Sequence, residues 1–159
     1  MAFEEILKIL DEAEKEIRTA DHIIYITLPI VNDNKLLITA IEALHKASLK
    51  IIEALLIYEQ IFKGARLYKD KEENFRQFKE LAIKYEISQK QLKDIEALFF
   101  YMEKHEGSSI EFVRRDKLVI MSENLEIEAV NAEVIKNIIF SIKSLLNKAK
   151  KHIKNSSED

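Results

Sequence analysis

Cysteine and tryptophan are absent from this 159-residue chain, which holds only two glycines and one proline. Without cysteine there is no disulfide framework, no thiolate metal site and no cysteine nucleophile. Gly64 and Gly107 stand 43 positions apart, so neither a dinucleotide-binding nor a phosphate-binding glycine loop can form, since each needs glycines at close fixed spacing. A sandwich or barrel with many tight hairpins is disfavoured for the same reason.

Strong charge of one sign is also missing. The formal net charge is −3, which argues against a nucleic-acid footprint over the whole domain and against an acidic tail. Residues 1–60 are the acidic part, with 6 basic and 11 acidic side chains. Long hydrophobic runs are lacking too. The longest stretch free of Asp, Glu, Lys and Arg runs from His22 to Asn32, well short of the roughly 20 apolar residues a membrane span requires. The opening Met-Ala-Phe-Glu-Glu has no basic region followed by an apolar one, so no signal peptide and no membrane are expected, and a cytoplasmic protein is.

What is present is helical periodicity. Phe3, Ile6, Leu7, Leu10, Ala13, Ile17, Ala20, Ile24 and Leu28 follow the three- and four-residue steps of an amphipathic helix. Pro29 disfavours helix at Leu28, and Asn32, Asp33 and Asn34 supply turn chemistry. The β-branched run Ile23 to Val31 leaves a strand as the competing reading. A second helix is expected from about Lys35 to Phe62, apolar over so wide an arc that it is central, with Gly64 ending it. A third covers roughly Lys71 to Glu86. Ser88 followed by Gln91 is a capping-box pattern that opens a fourth, stopped by Gly107 as C-cap. The segment 110–121 breaks the period and reads as a short extended or hairpin piece, although Arg-Asp makes a poor hairpin turn. From about Ala132 to Ile153, Ile135, Ile138, Ile142, Leu145 and Ala149 form a heptad-like seam. The expected fold is all-α: a single antiparallel up-down bundle of about five helices over residues 1–154, with 155–159 as a frayed tail.

Polar residues inside the apolar stripes carry the remaining information, because burying them unpaired costs free energy. Asp21, His22 and Tyr25 on the first helix, and Glu42, His45 and Glu59 on the second, are the candidate buried polar cluster. If the two helices fold back about residues 31 and 32, Asp21 faces Glu42 with His45 one turn along. Glu42-Ala-Leu-His45 has the E-x-x-H spacing used in di-iron bundles, which makes Asp21, Glu42 and His45 candidate metal ligands. Such sites need two E-x-x-H copies and this chain has one, so a structural hydrogen bond or ion pair between Asp21 and His45 is the favoured reading, with no metal or cofactor. Arg114, Arg115 and Lys117 form a basic segment, a candidate anion or nucleic-acid patch. The lysines of the last helix lack interleaved aromatics and read as a solvated face. His105 reads as a residue near a helix end.

Two resemblances follow. Arg18 and His22 resemble the arginine and histidine of HEPN-type ribonucleases, helical bundles with an R-x(4 to 6)-H spacing; here the spacing is R-x3-H, and Arg18 bridging Glu14 and Asp21 is the competing reading. The segments DHIIYITLPIVNDNKLLITAIEALHKA (Asp21 to Ala47) and EFVRRDKLVIMS (Glu111 to Ser122) resemble a group of small helical proteins of unknown function encoded in archaeal genomes. That resemblance implies an all-helical fold and an archaeal source, and carries no activity. It singles out Asp21, His22, Tyr25, Glu111 and Arg114, with a buried network from Asp21 or Tyr25 to Arg114 as one physical possibility.

The function these features favour is a non-enzymatic interaction or assembly module, with a protein partner or a homodimer. The surfaces expected to serve it are the seam of the last helix or the Phe99-Phe100-Tyr101 run. An RNA-binding or ribonuclease-like bundle and a metal-binding bundle are the rivals.

Overall fold

A computed structural model describes residues 2–63 and 70–157. The first apolar stripe forms helix α1, Ala2–His22, and then continues instead of stopping at the proline. Ile23–Thr27 winds as a π-helix in which the Leu28 amide bonds the Ile23 carbonyl, and α2, Leu28–Val31, carries Pro29 in its first turn. Proline lacks the amide proton and its ring clashes with the carbonyl four residues back. A widened turn relieves that clash without ending the helix. The rod ends at Asn32, whose left-handed backbone (φ 56°) closes it through a 2.8 Å bond from its own amide to the Leu28 carbonyl. Ile23 to Val31 is therefore helical, not a strand.

Helix α3, Leu36–Lys63, is the central element. Gly64, its expected terminator, lies outside the described residues. Helix α4, Lys71–Leu81, opens on Asp70, whose carboxylate accepts from the Glu72 amide. It is shorter than the Lys71 to Glu86 stretch expected, because the chain turns at Glu86 (φ 58°). The capping box at Ser88 and Gln91 forms in full at the start of α5, Gln89–Glu106.

The chain is mostly helical but not all-α. After Gly107 come three strands, β1 (Ser108–Arg114), β2 (Lys117–Ser122) and β3 (Ile127–Asn131), which form one antiparallel sheet in that order. The expected hairpin at 110–121 is its first half, and β3 is an addition. The Arg115-Asp116 turn closes because Arg115 adopts φ 59°, and Leu125 at φ 64° closes the next. No loop separates β3 from α6, Ala132–Ser157: Asn131 ends the strand, and its Oδ1 accepts from the Val134 amide at 3.0 Å, capping the helix. The tail expected to fray is helical through Ser157, and 158–159 lie outside the described residues.

Helices α1 and α3 run antiparallel: Lys50 Nζ lies 2.9 Å from Glu12 Oε2, and Phe3 meets Tyr58 edge-on near the far end. Helix α6 packs on both, α5 packs on α3 and α6, and the sheet touches α5 and α6. The α6 seam is inside: Ile135, Ile138, Ile142, Leu145, Ala149 and Ile153 are all buried in the common core. Burial of an isoleucine or leucine side chain contributes about 1.5–3 kcal/mol, so the seam belongs to the fold and is not free for a partner. Phe99 and Tyr101 are likewise packed against the core, leaving Phe100 as the exposed member of that run. Among the described residues no helix is long and apolar enough to cross a membrane.

Candidate interaction surface

Side chains alternate between the faces of a strand, and the registers sort those of the sheet into rows. On the outer face, Ile110, Met121 and Ile127 form one row, Phe112, Val119 and Ala129 a second, and Arg114, Lys117 and Asn131 a third. On the inner face, Val113, Leu118 and Val130 lie in one row, and Glu111, Ile120 and Glu128 in the other. Leu118, Ile120 and Val130 join the hydrophobic core, which assigns the inner face. Val119 is only 7% exposed yet stands outside the core cluster.

The outer face thus carries six apolar side chains, of which Val119 is buried, Met121 half-buried and the other four exposed. Ile110 is 55% exposed, Ile127 57% and Phe112 36%. At the hairpin tip Arg114, Arg115 and Lys117 are all exposed. Together with Asp116, Val119 and Ala129 they line a shallow open depression of about 510 Å³. At the opposite end, the turn from Ser122 to Ile127 carries the exposed Glu123 and Glu126. Its geometry is fixed by the Glu126 amide donating to Ser122 Oγ and the Leu125 amide to the Ser122 carbonyl.

The sheet is held to the helices by a polar cluster. His105, near the end of α5, donates from Nδ1 to Glu111 Oε1 at 2.5 Å, and Ser108 Oγ donates to the same oxygen at 2.6 Å. Glu42 on α3 reaches His105 Nε2 at 3.6 Å. Both imidazole nitrogens face carboxylates, so the cluster ties β1 to α5 and α3. Asn34 Nδ2 donates to the Arg115 carbonyl at 3.3 Å, tying the hairpin tip to the turn before α3.

The six residues expected to form one polar cluster are dispersed. Asp21 pairs with Lys143 of α6 at 2.7 Å. His22 shares a 3.3 Å hydrogen bond with Thr27 Oγ1. Tyr25 is exposed, with the Lys136 ammonium 5.3 Å from its ring centre. Glu42 goes to His105. His45 stands edge-on to Phe99 in a groove that Lys71, Phe75 and Glu106 also line; burial, then the Lys71 charge, hold its pKa below the usual value, with Glu106 opposing. Of the six only Glu59 is buried. It accepts from the Tyr85 hydroxyl and from Lys84 Nζ. Burial, reinforced by that hydrogen bond and the Glu59 charge, pushes the Tyr85 phenol far up.

Asp21, Glu42 and His45 therefore do not share a site, and no group of three or more His, Asp or Glu side chains able to hold a metal occurs among the described residues. Arg18 pairs with Glu14 at 3.3 Å, while Asp21 turns to Lys143. Arg114 and Tyr25 are both exposed and Asp21 pairs with Lys143, so no buried network from Asp21 or Tyr25 to Arg114 forms. Sequence reasoning assigned His105 only a helix-end role. The Glu111 spacing that completes its clamp becomes visible once β1 is known to fold back on α5.

Compared with protein-family models, with curated proteins and with solved structures, the chain matches none of them.

Proposed function

We propose that the protein is a non-enzymatic interaction module that docks a protein partner through the outer face of its three-stranded sheet. The observation that supports this reading is the outer face itself: two complete cross-strand rows of apolar side chains in which Ile110, Phe112, Ile127 and Ala129 are exposed around a half-buried Met121 and a buried Val119. Exposed contiguous apolar surface is costly in water and marks interaction sites on soluble domains. In this reading the helices form an antiparallel up-down bundle in the cytoplasm, whose task is to hold the sheet in place. The basic tip favours RNA less than protein, because one aromatic, Phe112, stands beside it and base stacking uses several.

The test is a photo-reactive residue placed singly at Phe112, Met121 or Ile127, with Phe140 on α6, 71% exposed, as control. In cells that make the protein, adducts with protein are expected from the three sheet positions and not from the control. No protein adduct at any of the three would end the interaction reading. An adduct with RNA alone would move the function to nucleic acid.

A further inference from the structure

The charges at the two ends of the outer face point to what covers it. The tip carries Arg114, Arg115 and Lys117 against Asp116, and the opposite turn carries Glu123 and Glu126, with Lys104 of α5 3.1 Å from Glu126. Strands of five to seven residues separate the ends, by roughly 17–23 Å at about 3.3 Å per residue. That exceeds the Debye length of about 8 Å at physiological ionic strength, so within one chain the two ends scarcely attract each other. They are, however, complementary to each other across an apolar centre. A surface that is apolar in the middle and oppositely charged at its ends is complementary to itself, which is what a two-fold interface requires.

We propose that the outer face binds the same face of a second copy, about a two-fold axis running across the strands. The proposal rests on the interaction reading above and adds the partner. Two such sheets stacked face to face lie about 10 Å apart with strands nearly aligned. An axis across the strands sets each cationic tip over the other copy's Glu123 to Glu126 turn. An axis along the strands would set tip over tip, arginine against arginine, and the charges exclude it. Edge-to-edge pairing through β1 is disfavoured by the bulge between Ser108 and Ile110, which interrupts the ladder at the start of that strand. Six apolar side chains are few beside the roughly 20–30 residues that each partner contributes to a standard interface. The dimer is accordingly weak, concentration-dependent and sensitive to salt.

The experiment follows the mass of the full chain in solution across a wide concentration series at low and high salt. The expected result is a shift from 18.6 kDa toward twice that mass, with at least tenfold weaker association at high salt. Phe112→Glu combined with Ile127→Glu should stay monomeric while keeping its circular dichroism and melting. Orientation is read by disulfide formation, which is clean because the chain has no cysteine of its own. Asp116→Cys mixed with Asn124→Cys should give the mixed disulfide, and neither variant alone should cross-link to itself. A monomer at every concentration overturns the dimer, as does salt-sensitive binding of single-stranded RNA by a chain that never self-associates. Self-cross-linking of Asp116→Cys overturns the proposed axis. Adducts at Phe112 with some other protein, from a chain that stays monomeric, would refute the second copy and leave the interaction reading standing, so the two failures are distinguishable.

Discussion

Glu111 of β1 accepts a 2.5 Å hydrogen bond from His105 near the end of α5. The two residues are six positions apart in the chain but belong to different secondary structures, and their contact holds the sheet in its position on the helices. Removing the imidazole leaves Glu111, which is half-buried, with Ser108 as its remaining donor. His105→Ala should cost about 1–3 kcal/mol, the range for stripping a partner from a buried polar group. Urea unfolding gives the total. Amide exchange gives the location: protection should drop in β1 and β2 while α1 and α3 keep theirs. A uniform drop across the chain would refute the clamp.

His45 predicts an acid-side loss of stability. Its folded pKa lies below the unfolded value, with burial as the main cause. The unfolded chain therefore binds the proton more readily, and stability falls as the pH drops through about 6.5, the unfolded value. The stabilising contribution is fully present above that pH. His45→Gln removes this component, so the difference between the two proteins in melting temperature should narrow or reverse from pH 7.5 to pH 5.5. A constant difference over that range would contradict the assignment.

Tyr85 predicts the opposite limb. Its phenol is held protonated far above the usual range, so the unfolded state loses its proton first and stability declines as the pH rises past about 10. Tyr85→Phe should flatten that decline. At neutral pH it should cost about 1–3 kcal/mol, since buried Glu59 loses one of its donors. Chemical unfolding at pH 7 and pH 10.5 checks both; equal slopes for the two proteins above pH 10 would refute the link.

Gly107 predicts tolerance. It is the C-cap of α5 at φ −96°, ψ 10°, a conformation open to any residue, and an added Cβ would lie 3.6 Å from the Glu103 carbonyl oxygen in ordinary contact. Gly107→Ala should leave stability unchanged or raise it by about 0.4–1 kcal/mol through a stiffer unfolded chain. A loss beyond 1 kcal/mol in thermal or urea unfolding would show a constraint at this position that the backbone does not reveal.

The helices were legible because period is a strong signal: Ile6, Leu10, Ala13, Ile17, Ala20, Ile24 and Leu28 are all buried as their spacing predicts. The sheet was half legible because its turns are made by residues that do not advertise them. Arg115 and Leu125 occupy the left-handed region at φ 59° and 64°, where a non-glycine costs roughly 1–2 kcal/mol. A scarcity of glycine excludes many tight turns; it does not exclude two. The polar cluster failed for a different reason. The antiparallel pairing of α1 and α3 holds, as Glu12 with Lys50 shows, yet two helices considered alone cannot reveal that α6 packs against both and that its Lys143 takes Asp21.

Asn131 is at once the last residue of β3 and the cap of α6. With no linker between them, strand and helix form one lever. A load placed on the outer face of the sheet is transmitted, without slack, into a helix whose buried side touches α1, α3 and α5, and close-packed interiors pass such strain on. The sheet is thereby joined to the core by continuous backbone as well as by its buried inner face.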